Sequence, residues 1–166
     1  MLISFFFVTL LCFMVLAMFI GAPLVPSKKT LVSAMVDLLK IKKGDRVYDL
    51  GSGDGRLLIE VAKRGGVGYG IEINPYAILW SYWNIWRSGV WGQVHIRWGN
   101  YWWLRLKNAD SVIVYAMPGF MQKMSNKFKN ELKPGTKIVS NLFQIPNLKE
   151  VKKVTLGKDR LYLYKV

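Results

Sequence analysis

Hydrophobic and polar positions divide the chain into one unbroken apolar run and a long region where two periodicities take turns. Residues 2–25 are packed with Leu, Ile, Val, Phe and Met and carry no charged side chain. Beyond them, Leu31, Met35, Leu38 and Leu39 repeat at helical spacing and predict an amphipathic helix over 28–40. The turn Lys43-Gly44-Asp45 leads into a strand at 46–50, and a helix over 56–63 is stopped by Gly65-Gly66. A second strand covers 68–73, Pro75 opens a helix to about 87, and a third strand covers 93–98. A short apolar run predicts a fourth strand at 111–116. Pro118 then opens a helix with Phe120, Met124, Phe128 and Leu132 on one stripe and Lys123 and Lys127 facing away. Pro134-Gly135 ends that helix before a fifth strand at 137–143. Residues 151–156 and 161–165 flank Gly157-Lys158-Asp159 as a closing hairpin.

Strands alternating with helices predict an α/β fold, a doubly wound and mostly parallel sheet, with the hairpin as an antiparallel C-terminal edge. Residues 145–150 are too few for a crossover helix, so the plan is a minimal one. The expected organisation is an anchor over 1–25 and a single domain over 26–166.

The first run decides the anchor. As a helix, residues 2–25 span about 36 Å, against about 30 Å of bilayer hydrocarbon. A cleaved signal peptide is the competing reading, but no Lys or Arg precedes the run, and in Gly21-Ala22-Pro23 a proline follows the small residue. The expectation is therefore one retained N-terminal transmembrane helix. Lys28, Lys29, Lys40, Lys42 and Lys43 all lie on its C-terminal side, which predicts a single-pass protein of the cell membrane with its domain in the cytoplasm.

Lys and Arg exceed Asp and Glu by 14, all of it beyond the apolar run. Nucleic acid and an anionic membrane surface both suit that excess, and the anchor favours the membrane lipid surface. Cys12 is the only cysteine and lies inside the apolar run, which excludes a disulfide framework and a thiolate metal cluster. His95 is the only histidine, an ordinary strand residue rather than a metal ligand. No metal site is expected.

Chemistry concentrates in Val47-Tyr48-Asp49-Leu50-Gly51-Ser52-Gly53-Asp54-Gly55-Arg56, followed by Gly70-Ile71-Glu72-Ile73-Asn74-Pro75. A strand enters a glycine-rich turn, and a second strand ends on an acid twenty-one residues after Gly51, the spacing of a βαβ unit that holds a nucleoside. A dinucleotide fingerprint needs a small residue where Arg56 stands. Asp49 would also repel a pyrophosphate, whereas it would hold the ammonium of S-adenosylmethionine (SAM). SAM is thus the expected cofactor. Asp49 takes its ammonium, Gly51, Ser52, Gly53 and Gly55 line its tail and ribose, and Glu72 accepts the ribose hydroxyls. The backbone at Ile73 edges the adenine, and Asn100, just past the third strand, hydrogen-bonds it. Asp54 either contacts the ligand or caps the following helix.

On the acceptor side, enzymes that methylate nucleobase amines often carry Asn/Asp-Pro-Pro-Tyr/Phe after the fourth strand. The corresponding segment is Tyr115-Ala116-Met117-Pro118, which speaks against nucleic acid as acceptor. Tyr115 is the one catalytic candidate, able to orient an acceptor amine or simply to pack. Tyr76, Trp80 and Trp83 share a helix face, either as core covering the sheet or as residues seated in a membrane interface.

Together these residues resemble one branch of the class I SAM-dependent methyltransferases. That branch is the membrane-anchored protein-lysine methyltransferases, whose animal members modify the ATP synthase c subunit and the adenine nucleotide translocase, with prokaryotic relatives. The resemblance runs through Val25-Pro26-Ser27, Asp49 to Arg56, Glu72-Ile73-Asn74-Pro75, Asn100-Tyr101-Trp102 and Met117-Pro118. It implies a Rossmann-like methyltransferase fold and methyl transfer from SAM to a lysine of a membrane-associated protein. Action on a lipid, a small molecule or RNA, and non-catalytic SAM binding in a membrane, are the alternatives.

Overall fold

The computed structural model describes Val8, Thr9 and residues 28–166. The expected anchor over 1–25 therefore falls, apart from Val8 and Thr9, outside the described residues. Among those described, no helix is long and apolar enough to cross a membrane.

Helix α1 (Lys29–Leu39) buries Leu31, Val32, Met35, Val36 and Leu39, the stripe that its i, i+4 spacing dictates. Taking five such side chains out of water is worth on the order of 10 kcal/mol. Lys40 closes the helix in the left-handed conformation.

The sheet has seven strands: β1 (Arg46–Leu50), β2 (Val67–Glu72), β3 (Val94–Trp98), β4 (Ser111–Val114), β5 (Lys137–Asn141), β6 (Glu150–Leu156) and β7 (Asp159–Lys165). Their order is β3-β2-β1-β4-β5-β7-β6. The first five are parallel, and β7 and β6 add an antiparallel edge. Helices α2 (Arg56–Lys63) and α3 (Pro75–Arg87) make the crossovers on either side of β2, and α4 (Met121–Glu131) the one between β4 and β5.

Two cores lie on opposite faces of the sheet. Val47, Ile113, Val139 and Leu161 pack under α1, while Leu50, Val112, Val114 and Ile138 pack against Met121, Met124 and Phe128 of α4. β4 shows no alternation because all four of its residues are buried, as expected of a central parallel strand. Parallel order with aligned register brings the ends of β1, β2, β4 and β5 to one edge, where functional side chains of such sheets collect.

Several expectations need correction. β4 stops at Val114 rather than at 116, and β5 at Asn141 rather than at 143. The chain leaves β5 because Leu142 adopts φ +65° and the Phe143 N–H donates back to the Asn141 carbonyl at 2.9 Å. Pro118 opens a 3-10 turn, Pro118–Phe120, before α4 begins, so Phe120 sits half-buried at the head of the stripe. Lys127 does not face away. It is buried, and its ammonium donates to the Leu104 carbonyl at 2.6 Å, the Trp102 carbonyl at 3.3 Å and the Glu131 carboxylate at 2.6 Å. A helical wheel marks charge as outward, but three acceptors on one side reverse that preference.

Candidate functional site

β1 runs into the glycine turn, which is tied to β2 at once: the Gly51 and Ser52 amides both donate to the Ile71 carbonyl, at 3.0 and 3.1 Å. Gly51, Gly53 and Gly55 have φ of +95°, +53° and +78°. At Gly55, the residue that starts α2, a Cβ would also stand 3.1 Å from that of Ser81 on α3. Glycine there meets a backbone and a packing demand together.

Glu72, at the end of β2, is buried and organises the loop opposite. Its Oε2 accepts the Gly53 amide at 2.9 Å, and its Oε1 accepts the Ile73 and Asn74 amides, both at 2.8 Å. A carboxylate offers about four acceptor positions. Three are used by backbone, which leaves room for one hydroxyl rather than both of a ribose diol.

Asp49 is buried, and its Oδ2 has no hydrogen-bond partner; the Ser52 Oγ is in the same state. Burial first, then the Glu72 and Asp54 carboxylates, push the Asp49 carboxyl up to about 7. Buried acceptors without donors are rare, so a ligand bearing donors and positive charge belongs there. The ammonium of SAM fits that requirement; a pyrophosphate does not.

The N-cap position of α2 is Gly55, with no side-chain cap bond, and Asp54 just before it is held by local partners. Its carboxylate pairs with the Arg56 guanidinium, with Nε at 2.9 and 3.0 Å from its two oxygens, and accepts the Arg56 amide at 3.3 Å. The Asn84 side-chain amide donates to its carbonyl at 3.0 Å and links the loop to α3.

The residues expected to edge the adenine flank the end of β2 at Glu72. Its carbonyl accepts the Gly99 amide at 2.9 Å, which holds the residue before Asn100 at the end of β2. The Ile73 carbonyl accepts the Trp98 indole N–H at 3.0 Å. Asn100 itself caps the 3-10 turn Tyr101–Trp103, its Oδ1 accepting the Trp102 amide at 3.0 Å. Lys123 lies 4.3 Å over the Trp102 ring, and with buried Lys127 it fastens this loop to α4.

Across β4, Tyr115 stacks on Phe143, ring centroids 6.5 Å apart and planes 11° from parallel. Burial, and then the Asp159 carboxylate, raise the Tyr115 hydroxyl above the ordinary tyrosine range, so it stays protonated. Asn141 ends β5 buried, with an unpartnered Oδ1. Neither Asn141 nor Phe143 stands out in the sequence. The signal there is a polar pair, Ser140-Asn141, closing an apolar strand at the functional edge.

The reading of Tyr76, Trp80 and Trp83 as core is overturned, because they are exposed by 47, 60 and 48 %. Only Ile78, Ser81 and Ile85 of α3 are buried. The three aromatics do share a face, but the inward stripe is a different one. Among the described residues, no cluster of His, Cys, Asp or Glu could hold a metal ion.

Residues 49–152 match the family described as the ANTKMT methyltransferase domain. A protein-lysine N-methyltransferase of Saccharolobus islandicus is 38% identical over 148 residues, which are 86% of this chain and 92% of that protein. The human lysine N-methyltransferase of the ATP synthase c subunit is 28% identical over 142 residues, 86% of this chain but 60% of the human protein. Among solved structures, an RNA methyltransferase from Salinibacter ruber in complex with S-adenosyl-L-homocysteine aligns with a TM-score of 0.82 and 33% identity, covering 86% of this chain and 94% of that one.

Proposed function

This chain belongs to the ANTKMT methyltransferase domain family, and on that premise we propose that it methylates a lysine side chain of a protein in or at a membrane. It is a SAM-dependent methyltransferase with a Rossmann-like sheet. Bound in the site, SAM would supply an electrophilic methyl carbon: a neutral amine would form an N–C bond to it as the C–S bond breaks and S-adenosylhomocysteine leaves. The chain's own residues bind and orient. Asp49 holds the ammonium of the tail, Glu72 and the Gly53 amide it anchors set the ribose, and Ile73 and Asn100 edge the adenine. Positioning of this kind is the main contribution a protein makes to an in-line displacement.

The observation that carries lysine as acceptor is the archaeal protein-lysine N-methyltransferase, matched over 92% of its own length. The segment Tyr115-Ala116-Met117-Pro118 supports it by lacking the amide-and-proline cradle that receives a nucleobase amine. RNA is the second reading, favoured by the name of the Salinibacter ruber structure and by the net charge of +14.

Membrane apposition draws support from three features. Residues 2–25 form an uncharged apolar run, and the chain beyond it is strongly basic. Tyr76, Leu79, Trp80, Trp83 and Trp86 project from the outer face of α3, each at least 47% exposed. Soluble proteins rarely leave such a stripe bare, and Trp and Tyr prefer the headgroup region. With the basic flank inside, the domain faces the cytoplasm.

The experiment is methyl transfer from labelled SAM to membranes of cells lacking the gene, followed by acid hydrolysis. Label recovered as methyl-lysine supports the reading. Label confined to lipid extract or to RNA replaces it.

A further inference from the structure

Asn141 carries a burden that nothing in the fold relieves. A buried carbonyl oxygen without a donor destabilises the fold, and strands rarely keep one without a use for it. The Asn141 Oδ1 is such an atom, in a residue only 3% exposed.

Its place in the sheet points to the use. Asp49, Ile113 and Val139 form one rung across β1, β4 and β5. Two residues further on come Gly51 and Tyr115, each just past the end of its strand, and Asn141, the last residue of β5; alternation within β5 puts Asn141 on the face of Val139, which the rung shares with Asp49. Asn141 then lies two strand spacings, about 10 Å, from the glycine turn, with Tyr115 between them.

The surroundings hold it rigidly. The Leu142 amide donates to the Arg160 carbonyl at 2.7 Å, the Phe143 amide to the Asn141 carbonyl at 2.9 Å, and the Ser140 hydroxyl to the Phe143 carbonyl at 2.6 Å. A leucine at φ +65° is strained and persists because these bonds over-determine it. The turn brings Phe143 back onto Tyr115 as a flat stacked pair.

We propose that Asn141 is the acceptor-binding residue: its Oδ1 takes one N–H of the substrate lysine amine, whose alkyl stem lies against the Tyr115 and Phe143 rings. The proposal rests on the lysine reading given above. A neutral amide suits the task better than a carboxylate. A carboxylate would favour the ammonium and hold it charged, whereas only the neutral amine has a lone pair to give. The aromatic wall adds desolvation, which lowers a lysine pKa further. Tyr115, its hydroxyl held above the ordinary range by burial and then by the Asp159 carboxylate, adds no negative charge of its own.

The test is calorimetry on the full chain in nanodiscs with two probes. One is S-adenosylhomocysteine; the other is its analogue with nitrogen in place of sulfur, carrying an aminoalkyl arm. The wild type should bind the arm-bearing analogue at least about tenfold more tightly, the worth of one well-made polar hydrogen bond. Asn141→Leu should bind S-adenosylhomocysteine unchanged and lose that gain, with a melting temperature equal to or above that of the wild type. Asn141→Ser, which restores an acceptor, should recover part of it. The proposal is overturned if Asn141→Leu keeps the gain, or if it melts early and loses both probes together, which is the mark of a structural role. If the wild type binds S-adenosylhomocysteine but gains nothing from the arm, the lysine reading itself falls and takes the proposal with it.

Discussion

Glu72 and Gly53 are joined across the mouth of the site by a 2.9 Å hydrogen bond from the glycine amide to Glu72 Oε2. The acid at the end of β2 is thus a structural clamp on the loop after β1, in addition to the role as ribose ligand proposed for it.

Removing it should therefore affect both stability and binding. Glu72→Ala strips an acceptor from the Gly53, Ile73 and Asn74 amides. Charge-assisted bonds of this kind contribute about 1.5–3 kcal/mol each and do not add fully, so we expect a loss of about 2–4 kcal/mol. Urea unfolding reads this as a lower midpoint with an unchanged slope, and binding of S-adenosylhomocysteine should disappear. Glu72→Gln, which keeps one carbonyl, should fall between. A variant that loses binding while its midpoint stays put would show that Glu72 is a ligand only.

Asp49 should make the ligand-free protein less stable as pH rises. Its carboxyl is raised from 3.8 to about 7 by burial and the neighbouring Glu72 and Asp54 carboxylates. A folded-state pKa above the unfolded one means that the contribution is present below about pH 4 and is lost as pH climbs to about 7. Asp49→Asn removes that penalty. We expect the variant to exceed the wild type by about 2–4 kcal/mol at pH 8, with the difference closing near pH 4. Denaturant titrations at the two pH values check it. A destabilised Asp49→Asn at pH 8 would mean that the carboxylate already has a partner.

The aromatic face of α3 should meet lipid. Trp80, Trp83 and Trp86 are exposed by 60, 48 and 62 %, so Trp→Ser at all three should shift stability by less than about 0.5 kcal/mol each. In anionic vesicles containing brominated lipids, the full chain should show tryptophan quenching that the triple variant largely loses. Equal fractional quenching in both proteins would detach this face from the bilayer.

Much of the fold is legible in the sequence because the periodicities are clean. Arg46–Leu50, Arg56–Lys63 and Pro75–Arg87 fall on the expected elements, since apolar runs, a glycine turn and an N-terminal proline each mark a boundary locally. The motifs expected to hold the nucleoside are legible for the same reason, since Asp49, Gly51 and Glu72 belong to stretches that are contiguous in sequence. What escapes depends on distant partners. Lys127 is buried by carbonyls of Trp102 and Leu104, more than twenty residues away, and no wheel records that. Phe143 meets Tyr115 only because β5 lies beside β4, and α3 turns its aromatic side outward because Ile78, Ser81 and Ile85 form its buried side, with Ile85 packed among Leu58, Ile59 and Ala62 of α2.

Calorimetric titration of the full chain with S-adenosylhomocysteine at pH 8, beside Asp49→Asn, asks most directly whether an unpartnered carboxylate has selected a nucleoside that carries an ammonium group. Micromolar binding that weakens at least about tenfold in the variant, with no heat from NAD at the same concentration, is the expected outcome. Binding of NAD in its stead, or no heat from either compound, would refute that selection.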